Sequence, residues 1–182
     1  RITNLTAITN ATSNSGVALA GAHNILTNVF TTSLYTAVDS TGLNNTFINL
    51  TSTANTNGYG INFGAAVNNT LLNSTVTAKL AGITFTSGAK GNSVIGCNIS
   101  TNATSIYAAV TFNVGSNNIV ANSTLTALQT TPALLTSGVS INQNNTVINN
   151  TLVSATTGML FVTINSSGNI FCLNNFTATT KY

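Results

Sequence analysis

The 182 residues carry four cations, Arg1, Lys79, Lys90 and Lys181, against one acid, Asp39, and 43% of them are hydrophobic. A net charge of +3 scattered over distant positions does not form the clustered basic footprint that displaces counterions from nucleic acid. No apolar run nears the roughly 18 residues needed to cross a bilayer, and the length fits one domain, 1–182, that can bury a continuous core.

Along the chain a polar, Asn-rich step recurs, followed by apolar residues two and seven places on. Loose copies begin at His23 and Asn45. Clear copies are Asn69-Thr-Leu-Leu-Asn-Ser-Thr-Val76, Asn92-Ser-Val-Ile-Gly-Cys-Asn-Ile99, Asn118-Ile-Val-Ala-Asn-Ser-Thr-Leu125, Asn145-Thr-Val-Ile-Asn-Asn-Thr-Leu152 and Asn169-Ile-Phe-Cys-Leu-Asn-Asn-Phe176. The starting points lie 22, 24, 23, 26, 27 and 24 residues apart, a drift expected of a solenoid whose loops vary while its strands keep register.

Between copies runs a second, alternating phrase: Gly16-Val-Ala-Leu19, Gly60-Ile-Asn-Phe63, Gly82-Ile-Thr-Phe85, Ala109-Val-Thr-Phe112, Gly138-Val-Ser-Ile141 and Leu160-Phe-Val-Thr-Ile164. Period-two patterning rich in Val, Ile, Phe and Thr predicts short strands with one face inward. No segment shows a capped helical stripe. The expected fold is therefore all-β, a single-stranded parallel β-helix of about seven to eight coils of 22 to 27 residues.

Equivalent side chains then stack at about 4.8 Å from coil to coil. One predicted inward column is Ile25, Phe47, Leu71, Val94, Val120, Val147 and Phe171. Another is Phe30, Val76, Ile99, Leu125, Leu152 and Phe176, interrupted by Ser52. Phe63, Phe85 and Phe112 should form an aromatic ladder. Asn suits the corners because it tolerates left-handed backbone and bonds nearby main chain, and His23 is expected to hydrogen-bond like a corner Asn. Cys97 and Cys172 fall three repeats apart, roughly 14 Å along the axis, beyond the roughly 7 Å reach of a disulfide. Each is expected to act as a small buried hydrophobe.

The phrase N-x-[IV]-x-x-N-x-[IL] followed by G-[IV]-x-[FIL] resembles the right-handed parallel β-helix repeat of pectate-lyase-like proteins, including Asn/Thr-rich adhesin-like surface proteins of archaea and bacteria. The resemblance spans about residues 16 to 177 and implies the right hand. Sugar-cleaving members of that fold use clustered acids. Glycoside hydrolysis takes two carboxylates and calcium several oxygen ligands, whereas Asp39 stands by itself. His23 and Asp39 lack an accompanying nucleophile-elbow motif. The expectation is a non-enzyme with no catalytic residue, metal or cofactor.

Thirteen residues open an N-x-[ST] acceptor: Asn4, Asn10, Asn44, Asn49, Asn68, Asn73, Asn98, Asn102, Asn122, Asn144, Asn149, Asn165 and Asn175. With 30 Asn and 51 Ser or Thr, about eight would arise by chance. Asn49 with Asn73, and Asn122 with Asn149, hold equivalent places where glycans would crowd. Asn4, Asn10, Asn102 and Asn165 are expected off that column. Thr51, Thr53, Thr75, Thr77, Thr124 and Thr126 should project from one face, similar to the flat Thr arrays of ice-binding solenoids.

These features predict an extracellular or cell-surface building block, glycosylated, with an adhesive extension. An ice- or carbohydrate-binding module and a degenerate polysaccharide-processing enzyme are the alternatives. Because neither end of the chain reads as a cap, continuation in a longer chain or head-to-tail association into filaments is expected. With no leader at its start, any secretion signal is expected to have been removed or to lie outside the numbered residues.

Overall fold

The computed structural model describes residues 1–10, 13–104, 107–137, 142–161 and 166–180. They form a parallel β-solenoid of about seven turns, in which every strand pairs in parallel with its equivalent in the next coil. Sheet A stacks Ile2–Thr3, Ile25–Thr27, Thr46–Ile48, Thr70–Leu72, Ser93–Ile95, Ile119–Ala121, Thr146–Ile148 and Ile170–Cys172. Sheet B stacks Thr6–Thr9, Phe30–Ser33, Thr51–Ala54, Thr75–Ala78, Asn98–Thr101, Thr124–Ala127, Thr151–Thr157 and Asn175–Thr180. Sheet C runs from Val17–Leu19 through Val38–Ser40, Ile61–Phe63, Ile83–Phe85, Val110–Phe112 and Leu134–Thr136 to Met159–Phe161. A narrow sheet D joins Ala89–Lys90, Gly115–Ser116, Asn142–Gln143 and Ser166–Ser167.

Two left-handed corners per coil set this path. Between sheets D and A the positive-φ residue is His23, Asn44, Asn68, Gly91, Asn117, Asn144 or Gly168. Between sheets A and B it is Asn4, Asn28, Asn49, Asn73, Gly96, Asn122, Asn149 or Leu173. A left-handed residue reverses the alternation of side chains, so the residue after it points inward although the strand before it ended outward. Asn and Gly fill these places because most side chains are strained there.

The inward residue after the first corner is Asn in each coil from Asn24 to Asn169. Its Oδ1 accepts the main-chain N–H of the equivalent Asn one coil earlier: Asn45 bonds Asn69 at 2.6 Å, Asn69 bonds Asn92 at 2.9 Å and Asn92 bonds Asn118 at 3.0 Å. Its Nδ2 donates to an earlier carbonyl, as from Asn92 to Ala66 and from Asn118 to Ala89, both at 3.0 Å. Each carboxamide thus satisfies corner groups that the sheets leave unpaired and that burial would otherwise penalise. A second, mixed ladder after the other corner uses Ser74, Ser123, Asn150 and Asn174 in the same way.

The predicted columns form with two corrections. Phe47, Leu71, Val94, Val120, Val147 and Phe171 pair in one inward file, but Leu26 and not Ile25 continues it. Val76, Ile99, Leu125, Leu152 and Phe176 pair likewise, while Thr31 takes the place expected for Phe30, opposite Ser52. Leu26 is buried, and Ile25 and Phe30 are exposed by 43% and 42%. The repeat there begins at Asn24 and not at His23, which shortens the first spacing to 21 residues. Ser52 and Thr31 remain inside because their hydroxyls donate to the carbonyls of Gly60 and Ala37 at 2.8 and 3.0 Å.

Sheet C carries the aromatic ladder. Phe63 and Phe85 stack with centroids 5.5 Å apart, Phe85 and Phe112 at 4.9 Å with planes 8° apart, and Phe47 meets Phe63 edge-on at 6.5 Å. The file is flanked by Ser40 and Thr136, whose buried hydroxyls have no partner among the described residues. In the coil after Phe112 the strand is Leu134–Thr136, and the phrase Gly138-Val-Ser-Ile141 lies outside the described residues. Val162, Thr163 and Ile164 lie outside them too, while Met159–Phe161 supplies the strand.

Candidate functional surface

Along sheet B the second and fourth residues point inward, so the first and third of each strand form two outward ranks. Pairing places Thr6, Phe30, Thr51, Thr75, Asn98, Thr124, Thr151 and Asn175 in one, and Ile8, Thr32, Thr53, Thr77, Ser100, Thr126, Val153 and Thr177 in the other. The six expected face residues therefore share one surface, in register. Thr75, Thr77 and Thr124 are exposed, and Thr51, Thr53 and Thr126 half-buried. Thr77 and Ser100 hydroxyls meet at 3.2 Å across the coil step.

The acceptor asparagines divide by position. Asn4, Asn44, Asn49, Asn68, Asn73, Asn122, Asn144 and Asn149 are all left-handed corner residues. In each, the next residue points inward and the third opens a strand on its outward side, where Thr is favoured. The motif is thus a product of corner geometry, and this accounts for its excess over chance. Asn98 and Asn175 open sheet B strands, and Asn10 and Asn102 lie elsewhere; all the described acceptors are exposed except the half-buried Asn102. Asn165 is outside the described residues. Asn4, expected off the stacked column, belongs to it, because Asn28 donates to its Oδ1 at 3.3 Å and Asn49 donates to Asn28 at 3.1 Å.

Asp39 is half-buried on sheet C and accepts a 2.9 Å bond from the Asn62 carboxamide, whose oxygen accepts from Thr86 at 3.0 Å. His23 is an exposed corner residue with φ 58°, its main-chain N–H bonded to Leu43. Its expected Asn-like role therefore takes the form of backbone conformation, one position before the buried ladder. Among the described residues no three His, Cys, Asp or Glu side chains gather at one point. Cys97 and Cys172 are both free thiols, as expected. Cys97 is buried, with its thiol near the Ile95 carbonyl at 3.4 Å, but Cys172 is half-buried and outward on sheet A.

Two grooves cross the coils. One, of about 470 Å³, is lined by Leu128, Val153, Ala155 and Thr177 among others, and the second, of about 360 Å³, by Thr56, Asn57, Lys79, Asn102, Thr104 and Gln129. Neither includes Asp39 or His23. The sequence reading also missed an outward apolar file on sheet A, comprising Ile48, Leu72, Ile95, Ala121 and Ile148. Its signal was present in the doublets Phe47-Ile48, Leu71-Leu72, Val94-Ile95 and Val147-Ile148, since adjacent strand residues must face opposite ways.

No protein-family profile matches the chain, and no curated relative matches it. Among solved structures, the A-module of the Azotobacter vinelandii mannuronan C-5 epimerase AlgE6 superposes with a TM-score of 0.54 at 12% identity. The match covers 100% of this chain and 55% of that module, so the chain spans little more than half its length. At that identity the likeness is one of fold: both are β-helices.

Proposed function

We propose that this chain is a non-catalytic, extracellular structural solenoid, a building block of a cell surface or filament that carries N-linked sugar and can adhere through its long faces. The observation that carries the reading is the unbroken asparagine ladder from Asn24 to Asn169, in which the chain's buried polar groups bond coil to coil. Such a ladder stiffens a rod along its axis and leaves repetitive, nearly uncharged faces outside. Ile2, which pairs with the inward Leu26 yet is exposed, and Phe171 and Phe176, which are only half-buried, favour burial of the outermost coils by a further coil, from the same chain or from a second copy stacked head to tail. Electron microscopy of material from the native source tests this. Rods or filaments with continuous coil stacking are expected, and dispersed monomers without a further coil at either end would overturn the proposal.

A second reading, an ice- or carbohydrate-binding module, is favoured by the two Thr-rich ranks of sheet B. Ice-recrystallisation and glycan-array assays of the wild type and of Thr75→Lys separate it from a purely structural role: activity that the Lys abolishes would move it to first place. The epimerase likeness does not carry an activity over, since polysaccharide cleavage by paired acids has one carboxylate side chain here, Asp39, engaged by Asn62.

A further inference from the structure

Building on the reading that the surface bears N-linked sugar, we infer that Asn122 is preferred over Asn49 and Asn149 as the acceptor within the stacked corner column. In the column Asn4, Asn28, Asn49, Asn73, Gly96, Asn122 and Asn149, the axial amide bonds run in one sense. Asn49 Nδ2 donates to Asn28 Oδ1 at 3.1 Å, and Asn149 Nδ2 donates to Asn122 Oδ1 at 2.7 Å. At Asn49 and Asn149 the amide nitrogen therefore points at the preceding coil, where a neighbour's carboxamide both takes its hydrogen and occupies its space.

Asn122 differs from these two because the residue one coil before it is Gly96, which has no side chain. Its oxygen is held by Asn149, which orients the amide, while its nitrogen has no acceptor beneath it in the column. In the other corner column no glycine lies one coil before an acceptor motif. Its glycines precede Asn117, which is followed by Asn118 and Ile119 and is not an acceptor motif, and follow Asn144. Asn122 is exposed, and the hydroxyl-bearing third residue of its motif, Thr124, is exposed as well.

Transfer from an activated glycosyl phosphate donor forms the bond from Nδ2 to the anomeric carbon and breaks that carbon's bond to the phosphate oxygen. One amide proton leaves and the second stays on nitrogen. Asn122 Oδ1 keeps its bond from Asn149 throughout, so the sugar does not interrupt the column. At Asn49 or Asn149 the sugar root would have to enter space held by the amide about 4.8 Å away.

Site-by-site glycopeptide mass spectrometry of protein from the native source tests the inference. Occupancy at Asn122 several-fold above that at Asn49 and Asn149 is expected. Equal or greater occupancy at those two sites overturns the inference and leaves the glycosylated reading standing, whereas sugar on no acceptor at all overturns both. A Gly96→Asn variant made in the same host supplies the missing neighbour. Its φ of +66° suits Asn, and the added side chain meets the flexible Asn73 amide, the kind of neighbour found in other coils. Occupancy at Asn122 should fall several-fold in this variant, and unchanged occupancy would overturn the role given to Gly96.

Discussion

The side-chain oxygen of Asn118 accepts two hydrogen bonds from Asn92 in the coil before it, one from the main-chain N–H and one from Nδ2, each at 3.0 Å. Both residues are fully buried, and Asn118 Nδ2 donates in turn to the Ala89 carbonyl. Replacing Asn118 by Leu strands a buried N–H and a buried carbonyl, and is expected to cost about 2 to 4 kcal/mol. Chemical denaturation of the two proteins checks it, and a loss below about 1 kcal/mol would show that the ladder is dispensable.

Asn118→Asp gives a pH-dependent version of the same test. Its carboxylate would face the Ala89 carbonyl, while the protonated acid could donate there, so folding raises the acid's pKa above its unfolded value of about 3.9. A raised pKa stabilises fully below the unfolded value and loses that contribution as pH rises through the folded one. The variant's deficit should therefore shrink on acidification, and a deficit that is the same in acid and at neutral pH would contradict the assignment of donor and acceptor.

Leu173 has φ 55° in a column otherwise filled by Asn and Gly, and is 77% exposed. Left-handed backbone costs an ordinary side chain about 1 to 2 kcal/mol, and exposure leaves little burial to offset it. Leu173→Asn should raise stability by about 1 kcal/mol and place an amide over Asn149. A neutral or lower thermal midpoint would mean that Leu173 contributes apolar contact worth as much as its strain.

The two thiols should differ in reactivity. Burial pushes the Cys97 thiol above its ordinary pKa, with the hydrogen bonds to main chain partly opposing this, so little thiolate forms near neutrality. Cys172 faces outward on sheet A. In the native protein an alkylating reagent mapped by mass spectrometry should label Cys172 and reach Cys97 only after unfolding. Equal labelling would place Cys97 outside the core.

Burial also raises the Tyr59 hydroxyl above the ordinary 10.0, reinforced by its hydrogen bond with Tyr107, whose ring lies 5.8 Å away. The folded state then holds this proton more tightly than the unfolded chain. The resulting stability is complete below pH 10 and is lost as pH climbs through the folded value. Tyr59→Phe should flatten the decline in stability above about pH 10, measured against wild type. Parallel decline in the two proteins would exclude Tyr59 as its source.

How far the sequence could be read varied along the chain. Five Asn-led copies fixed the coil, the inward files from Phe47 to Phe171 and the Phe63, Phe85 and Phe112 stack, because period-two burial and a repeated corner leave few registers open. The first repeat slipped by one residue because His23 and Asn24 are both polar, as Ile25 and Leu26 are both apolar. Only the left-handed backbone at His23 chooses Leu26 for the core.

The candidate surface was legible as composition but not as meaning. Residue spacing alone placed Thr51, Thr75 and Thr124 on one outward rank, and it marked thirteen acceptor motifs. The chain's own pattern thus determined a parallel solenoid with stacked Asn and Phe and a nearly uncharged outside. Tertiary structure decided which Asn are buried ladder rungs, which are corners, and that corner Asn followed two places on by an outward Thr makes the motif by geometry. It also set Gly96 beneath Asn122. Hydrogen bonding between coils lies perpendicular to the chain, so a side chain's partners sit some 21 to 30 residues away and appear only when the coils stack.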